Sequence, residues 1–307
     1  MKIFLIFLAS AAGLTILAEI ALRLIVGLGN PPLYTADPEI GYLLAPNQKL
    51  RRSGNLIEIN QYSLRNQALP ESSEAISRIL LLGDSVVNGS WWTDQAATLS
   101  SLLQAKLSAD ASEITVLNAS ANSWGPQNEL AYLEKFGLFE SEALVLVINT
   151  ADLLATEPTS LVVGNSYSYP DRPPALALIE YYQLFIAEPK SIPELEQLRA
   201  TDTEEDRLSQ NLAAIESIKA IADVNQIQFV LALTPLKREF NQELSATEQL
   251  ARKRLQELVQ AEQINYLDFL TLWADFPQPE FLYRDHIHPS PQGNTKIVEA
   301  IAEELLN

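Results

Sequence analysis

The sequence predicts an α/β fold, an open, doubly wound parallel sheet preceded by an N-terminal transmembrane helix. Three observations carry that expectation. Five short apolar runs, at 79–82, 114–117, 143–148, 228–233 and 264–269, have the length and continuity of strands buried on both faces. Helical patterns lie between them, near 95–107, 126–136, 205–224 and 243–262, and such alternation builds a parallel sheet. Ahead of both stands a long apolar stretch at the amino end.

In chain order, that stretch comes first. Residues 3–18 carry no charge and span only about 24 Å as a helix. Apolar character resumes after Glu19 and continues to Leu28, broken only by Arg23. Glu19 and Arg23 are four residues apart and can pair on one helix face. Residues 1–28 are thus expected to be an uncleaved anchor, long enough to span a bilayer with tilt. The competing reading is a cleaved signal peptide, with Ala9-Ser10-Ala11 as the small-residue site. Lys2 favours a cytoplasmic amino end and a domain on the far side, although Lys49, Arg51 and Arg52 lie on that side.

Asn30-Pro31-Pro32 stops the helix, and residues 29–75 read as a polar, irregular connector with a few strand-like stretches such as 56–59. Residues 76–307 are expected to form the catalytic domain. Its rhythm breaks once, at 153–204, a fifty-residue insertion leaving the carboxyl edge of the sheet, where sites in this architecture form. Ser290-Pro291 announces the last helix as an N-cap followed by proline. The chain has 47% hydrophobic and 20% charged residues, as in ordinary folded proteins. Its 39 acidic and 21 basic residues argue against nucleic acid and against docking on an anionic bilayer. The absence of cysteine excludes disulfides and thiol catalysis.

The chemistry sits in two short segments. Leu82-Gly83-Asp84-Ser85-Val86 follows the first apolar run, so a glycine turn lifts Ser85 off the tip of a strand. The only two histidines stand 200 residues later, in Asp285-His286-Ile287-His288-Pro289. A serine hydroxyl is inert at its own pKa and needs a base and an orienter, which His288 and Asp285 can supply. Pro289 holds His288 in extended backbone, apart from the following helix. Asp285, His286 and His288 are also metal-type ligands, but no further cluster completes a conventional site.

Read together, these two segments resemble the nucleophile and base blocks of the SGNH (GDSL-type) hydrolase family, over roughly residues 77–306. The resemblance implies a three-layer α/β/α flavodoxin-like fold that hydrolyses or transfers acyl groups without metal or cofactor. It implies Ser85 as nucleophile, His288 as base and Asp285 as orienter. The two middle blocks depart from the family pattern. Ser120, in Asn118-Ala119-Ser120, stands where the family has glycine. Asn149-Thr150-Ala151-Asp152 stands for Gly-x-Asn-Asp, which puts Ala151 where the family has its oxyanion asparagine. The expected oxyanion donors are therefore the amides of Ser85 and Ser120, with Asn149, or alternatively Asn122, supplying a side chain from a shifted position. Trp91, Trp92 and Trp124 gather near these loops, either to bind substrate or as core.

The reading is a membrane-anchored serine esterase or acyltransferase with an extracytoplasmic domain. Its expected partner is a small-molecule, lipid or polysaccharide ester, with acetyl groups on a cell-envelope polysaccharide the first expectation. A lipid esterase or lysophospholipase is the second. From another class comes a degenerate carbohydrate-binding module without activity, which Ala151 favours.

Overall fold

The computed structural model of the chain describes residues 1–69, 77–108, 114–241 and 243–306. Helix α1 (Lys2–Ala21) continues as a π-helical turn, Leu22–Val26, and stops at Gly27 in the left-handed conformation. Together they make a 25-residue helix, long and apolar enough to cross a membrane, whose most apolar 18-residue stretch has a mean hydropathy of 2.3 and is unburied. Such a helix suits a membrane span or a signal sequence.

The stretch expected to be an irregular connector is folded. Strands β1 (Tyr34–Asp37) and β2 (Gly41–Leu44) form one antiparallel hairpin, and β3 (Gln48–Arg52) and β4 (Asn55–Ile59) another. Ser53 and Gly54 both have positive φ, 48° and 84°, the backbone twist that a two-residue hairpin turn requires. Tyr34, Ile40, Tyr42, Leu50, Ile57 and Ile59 join the main hydrophobic core. The connector is thus a wall of the domain, while its expected end, 70–75, lies outside the described residues.

Strands β5 (Ser77–Gly83), β6 (Ile114–Ser120), β7 (Ala143–Asn149), β8 (Gln228–Thr234) and β9 (Asn265–Asp268) form one sheet in the order β6-β5-β7-β8-β9. Every pairing is parallel. Helices α2 (Ser85–Asn88) and α3 (Leu99–Leu107) follow β5, and α4 (Pro126–Phe136) follows β6. After β7 come α5 (Ala177–Phe185), α6 (Pro193–Thr201) and α7 (Glu204–Val224). Helix α8 (Ala246–Ala261) follows β8, and α9 (Phe269–Leu272) and α10 (Pro291–Leu306) follow β9.

Strand residues alternate between two cores. Leu80, Leu82, Leu144 and Leu146 face residues of α4, α7, α8 and the hairpins. Ile79, Leu81, Val145 and Val147 face α3 and α10. Both faces are therefore covered, which is why the strands read as continuous apolar runs. The chain steps from β5 to β6 on one side, then crosses to β7 on the other. The direction of winding reverses between the carboxyl ends of β5 and β7, where this architecture opens a crevice.

One core group sits uneasily beneath that crevice. Glu129, in α4, is fully buried, and among the described residues neither of its oxygens has a hydrogen-bond partner. Burial, reinforced by nearby Asp84, pushes its carboxyl well above the usual 4.5. The folded chain then holds this proton more tightly than the unfolded chain, so stability falls as pH rises above the unfolded value. Glu129→Gln removes that slope: the melting temperature of the variant relative to the parent should rise between about pH 5 and about pH 8. A constant offset across that range would mean that Glu129 is not held protonated.

Candidate active site

The position of Ser85 follows from a close approach one turn earlier. A Cβ on Gly83 would lie 2.5 Å from the carbonyl oxygen of Val147 on β7 and 2.4 Å from Val87 Cγ2. Any larger residue would push β5 from β7 or displace α2. Past Gly83, Asp84 caps α2 by accepting a hydrogen bond from the Val86 amide at 2.8 Å. Ser85 is the first residue of α2, so its own amide has no carbonyl one turn back to bond.

The base loop folds onto this point from the far end of the chain. Asp285 Oδ1 accepts from the amides of Ile287 and His288 at 3.0 and 2.9 Å. Arg284 donates its amide to the His288 carbonyl, and Tyr283 bridges Pro289, so the loop closes on itself. His288 Nδ1 lies 2.9 Å from Asp285 Oδ2, and Nε2 lies 3.0 Å from Ser85 Oγ. The structure thus brings Ser85, His288 and Asp285 into one hydrogen-bonded line. Burial pushes the Asp285 carboxyl up, but the two amides and the His288 ring together hold it below the usual range. His286 is left out, its side chain 87% exposed and 3.9 Å from Asp285. Among the described residues no group of three or more acidic or histidine side chains could hold a metal ion.

Two of the expected oxyanion residues lie elsewhere. Asn149 is fully buried, and its amide group donates to Asp84 Oδ2 at 3.0 Å and to Asp152 Oδ2 at 2.7 Å. Both of its protons are committed to carboxyl groups that cannot be left bare in the interior. Burial pushes both acids up: Asp84 despite the Val86 amide, and Asp152 further, with the neighbouring carboxyls of Asp84 and Glu129 opposing its ionisation. Ser120 still belongs to β6, paired with Gly83, and its hydroxyl donates to Asn118 Oδ1. The residue of this loop that borders the crevice is Ser123, in the left-handed conformation at φ 59°. Ala151 borders it as well, so no side-chain amide is presented from that position.

The crevice holds about 520 Å³, bounded by Ser85, Ser123, Ala151, Arg199, Arg207 and His288. The two arginines belong to the insertion and to the start of α7. Trp92 packs edge-on against the His288 ring, 4.8 Å between centroids, and helps to close a second cavity of about 190 Å³. Leu44, Ile57, Trp91 and Leu184 also line that cavity. Trp124, by contrast, is core, its indole nitrogen donating to the Tyr42 carbonyl. Arg65 had no signal in the sequence pattern. It is buried and donates to the carbonyls of Asn88, Ser90 and Thr93, fixing the turn that presents Trp91 and Trp92. Burial pulls its pKa down to about 10 against the opposing charge of Asp94.

Solved structures with similar folds include an acetylxylan esterase from Geobacillus stearothermophilus, aligned over 77% of this chain and 96% of its own, with 13% identity and a TM-score of 0.49. A lipase/acylhydrolase from Enterococcus faecalis aligns over 75% of this chain and 95% of its own, with 18% identity and a TM-score of 0.45. No curated protein sequence matches the chain. The family model of the GDSL-like lipase/acylhydrolases matches residues 81–296, more than half of the chain and both segments of the hydrogen-bonded line. The chain therefore belongs to the GDSL-like lipase/acylhydrolase family, a family of ester-hydrolysing enzymes.

Proposed function

We propose that this chain is a membrane-anchored serine esterase in which Ser85 is the nucleophile, His288 the general base and acid, and Asp285 its orienter. The reading is carried by the line from Ser85 Oγ to His288 Nε2 at 3.0 Å and from Nδ1 to Asp285 at 2.9 Å. As Ser85 attacks the acyl carbonyl, His288 takes the hydroxyl proton, and the Asp285 carboxylate stabilises the imidazolium. Collapse of the tetrahedral intermediate returns that proton to the leaving alcohol and leaves the acyl group on Ser85. Water, or a second alcohol in transfer, then repeats the cycle and frees the serine.

The developing oxyanion is met by the amides of Ser85 and Ser123 in this reading. Ser85 qualifies as the first residue of a helix, and Ser123 as a left-handed turn residue on the crevice wall. The substrate is an ester on a polar alcohol, with acetyl groups of a cell-envelope polysaccharide the first choice. An anchor keeps the domain beside such material, on the extracytoplasmic side, and the crevice is wide and bordered by Arg199 and Arg207. A second reading, a lipid esterase, is favoured by the apolar cavity behind Trp92, which is suited to an acyl chain.

Four measurements test this. A fluorophosphonate probe should label the protein on Ser85, and the absence of labelling would favour a non-catalytic binding module. With p-nitrophenyl esters, Ser85→Ala and His288→Ala should each abolish turnover to a similar extent, because members of one unit do not contribute additively, whereas His286→Ala should retain it. A preference for acetate over longer chains supports the polysaccharide reading, and the reverse supports the lipid one. Finally, Ala151→Asn should raise kcat with little change in KM, since the new donor meets charge that exists only in the transition state. One donor of this kind is worth about 10²–10³ in rate, so even a poorly aligned one should be measurable. An unchanged kcat would mean that position 151 does not face the oxyanion.

A further inference from the structure

We propose that helix α5 of the insertion is a second membrane contact, its outward face lying in the lipid interface beside α1. The proposal rests on the reading of α1 as an anchor and adds to it a surface and an orientation. Helix α5 is apolar almost all round. Its inner side turns Ala177 and Glu180 into the protein, while Leu176, Ile179, Tyr181, Tyr182, Phe185 and Ile186 are each 39% to 61% exposed. Tyr181, Tyr182 and Phe185 fall at helical spacings of three and four, so they form one stripe. A cluster of exposed aromatic and branched side chains is a patch for a partner rather than for water.

The bilayer is the partner because of where the patch is held. The uncharged part of α1 ends at Glu19. The Glu19 carboxylate accepts hydrogen bonds from the amides of Ala177 and Leu178, at 2.9 and 3.0 Å, and so caps α5 from the anchor itself. Arg23, paired with Glu19, donates to the Ala175 carbonyl. One turn into α5, Glu180 accepts from the Gly29 amide and pairs with Arg52, both of these side chains being buried. Helix α5 is therefore fixed between the first charge of the anchor and the point where the chain leaves it, the stretch that crosses the headgroup region. Tyrosine and phenylalanine at that level have the chemistry of an interfacial belt, with an apolar body and, in tyrosine, a polar tip. The strongly acidic chain calls for a neutral surface, since an anionic one would repel it.

The chain has no cysteine, so single-cysteine labelling reads one site at a time. The full chain, reconstituted in phosphatidylcholine liposomes, would carry an environment-sensitive fluorophore at Phe185→Cys, Tyr182→Cys, Phe7→Cys or, on exposed α8, Lys253→Cys. Lipids carrying a nitroxide near the headgroup or near the chain end serve as quenchers. Phe7 lies about 18 Å along the helix from Glu19 and reports the anchor alone. The expected result is loss of most emission at positions 182 and 185 with the headgroup nitroxide, loss at position 7 with the deep nitroxide, and none at position 253. Quenching at position 7 without quenching at 182 and 185 would overturn the α5 contact while leaving the anchor in place. No quenching at position 7 would remove the anchor reading and the contact with it. Oxidative crosslinking of Phe185→Cys into a dimer, without lipid quenching, would mean that a second copy covers the face, and would also overturn the proposal.

Discussion

A carbonyl oxygen on the neighbouring strand decides where Ser85 stands. Val147 leaves no space for a side chain at position 83, and glycine there lets β5 and β7 close up while the chain turns directly into α2. The rest of this corner is set within two residues. Asp84 must face inward, where its carboxyl gathers the Val86 amide and the side-chain amide of Asn149. These bonds join the end of β5, the start of α2 and the end of β7. A buried carboxyl without them would cost several kcal/mol, so the strand ends cannot drift apart independently. The serine is rigid because the acid before it is fully engaged.

The same bonds explain why Asn149 does not serve the crevice. An asparagine at the tip of β7 suggests a donor for the reacting oxygen when only spacing is considered. In the fold it lies one residue too deep, between two buried acids, and holds Asp152 through its backbone amide as well. Spacing along a strand says which residues reach the carboxyl edge, but not which of two adjacent residues turns inward. Ser120 and Ser123 repeat the lesson: the first continues the ladder, and the second takes up a backbone angle that serine seldom adopts and that composition does not announce.

The sheet was legible because its strands are covered on both faces and read as unbroken apolar runs. The line Ser85–His288–Asp285 was equally legible, since each member sits in a short motif. Of the amino-terminal hairpins only β4 was legible, as the strand-like stretch 56–59. Their strands have four or five residues, half of them polar, and the turn at Ser53-Gly54 lies within what looks like loop. Nor could any local pattern reveal that Arg65, on the strip leading away from those hairpins, reaches across to the turn bearing Trp92. Such contacts exist only once distant segments have been packed, and they make the supposed connector part of the site's frame.

The junction at Glu180 has one more consequence. A domain on a loose tether samples a range of heights above its membrane, and its reach grows with the length of the tether. Here Gly29 and Arg52 close on a single buried carboxylate, and the adjoining Pro31-Pro32 step lines the same cavity as Trp92. With α1 in a bilayer, the chain leaves it with little slack, and Ser85 stands at one altitude. If α1 anchors the chain as proposed, the molecule is a ruler: an ester held higher or lower than Ser85 goes unread, and selection by distance comes before any selection by shape.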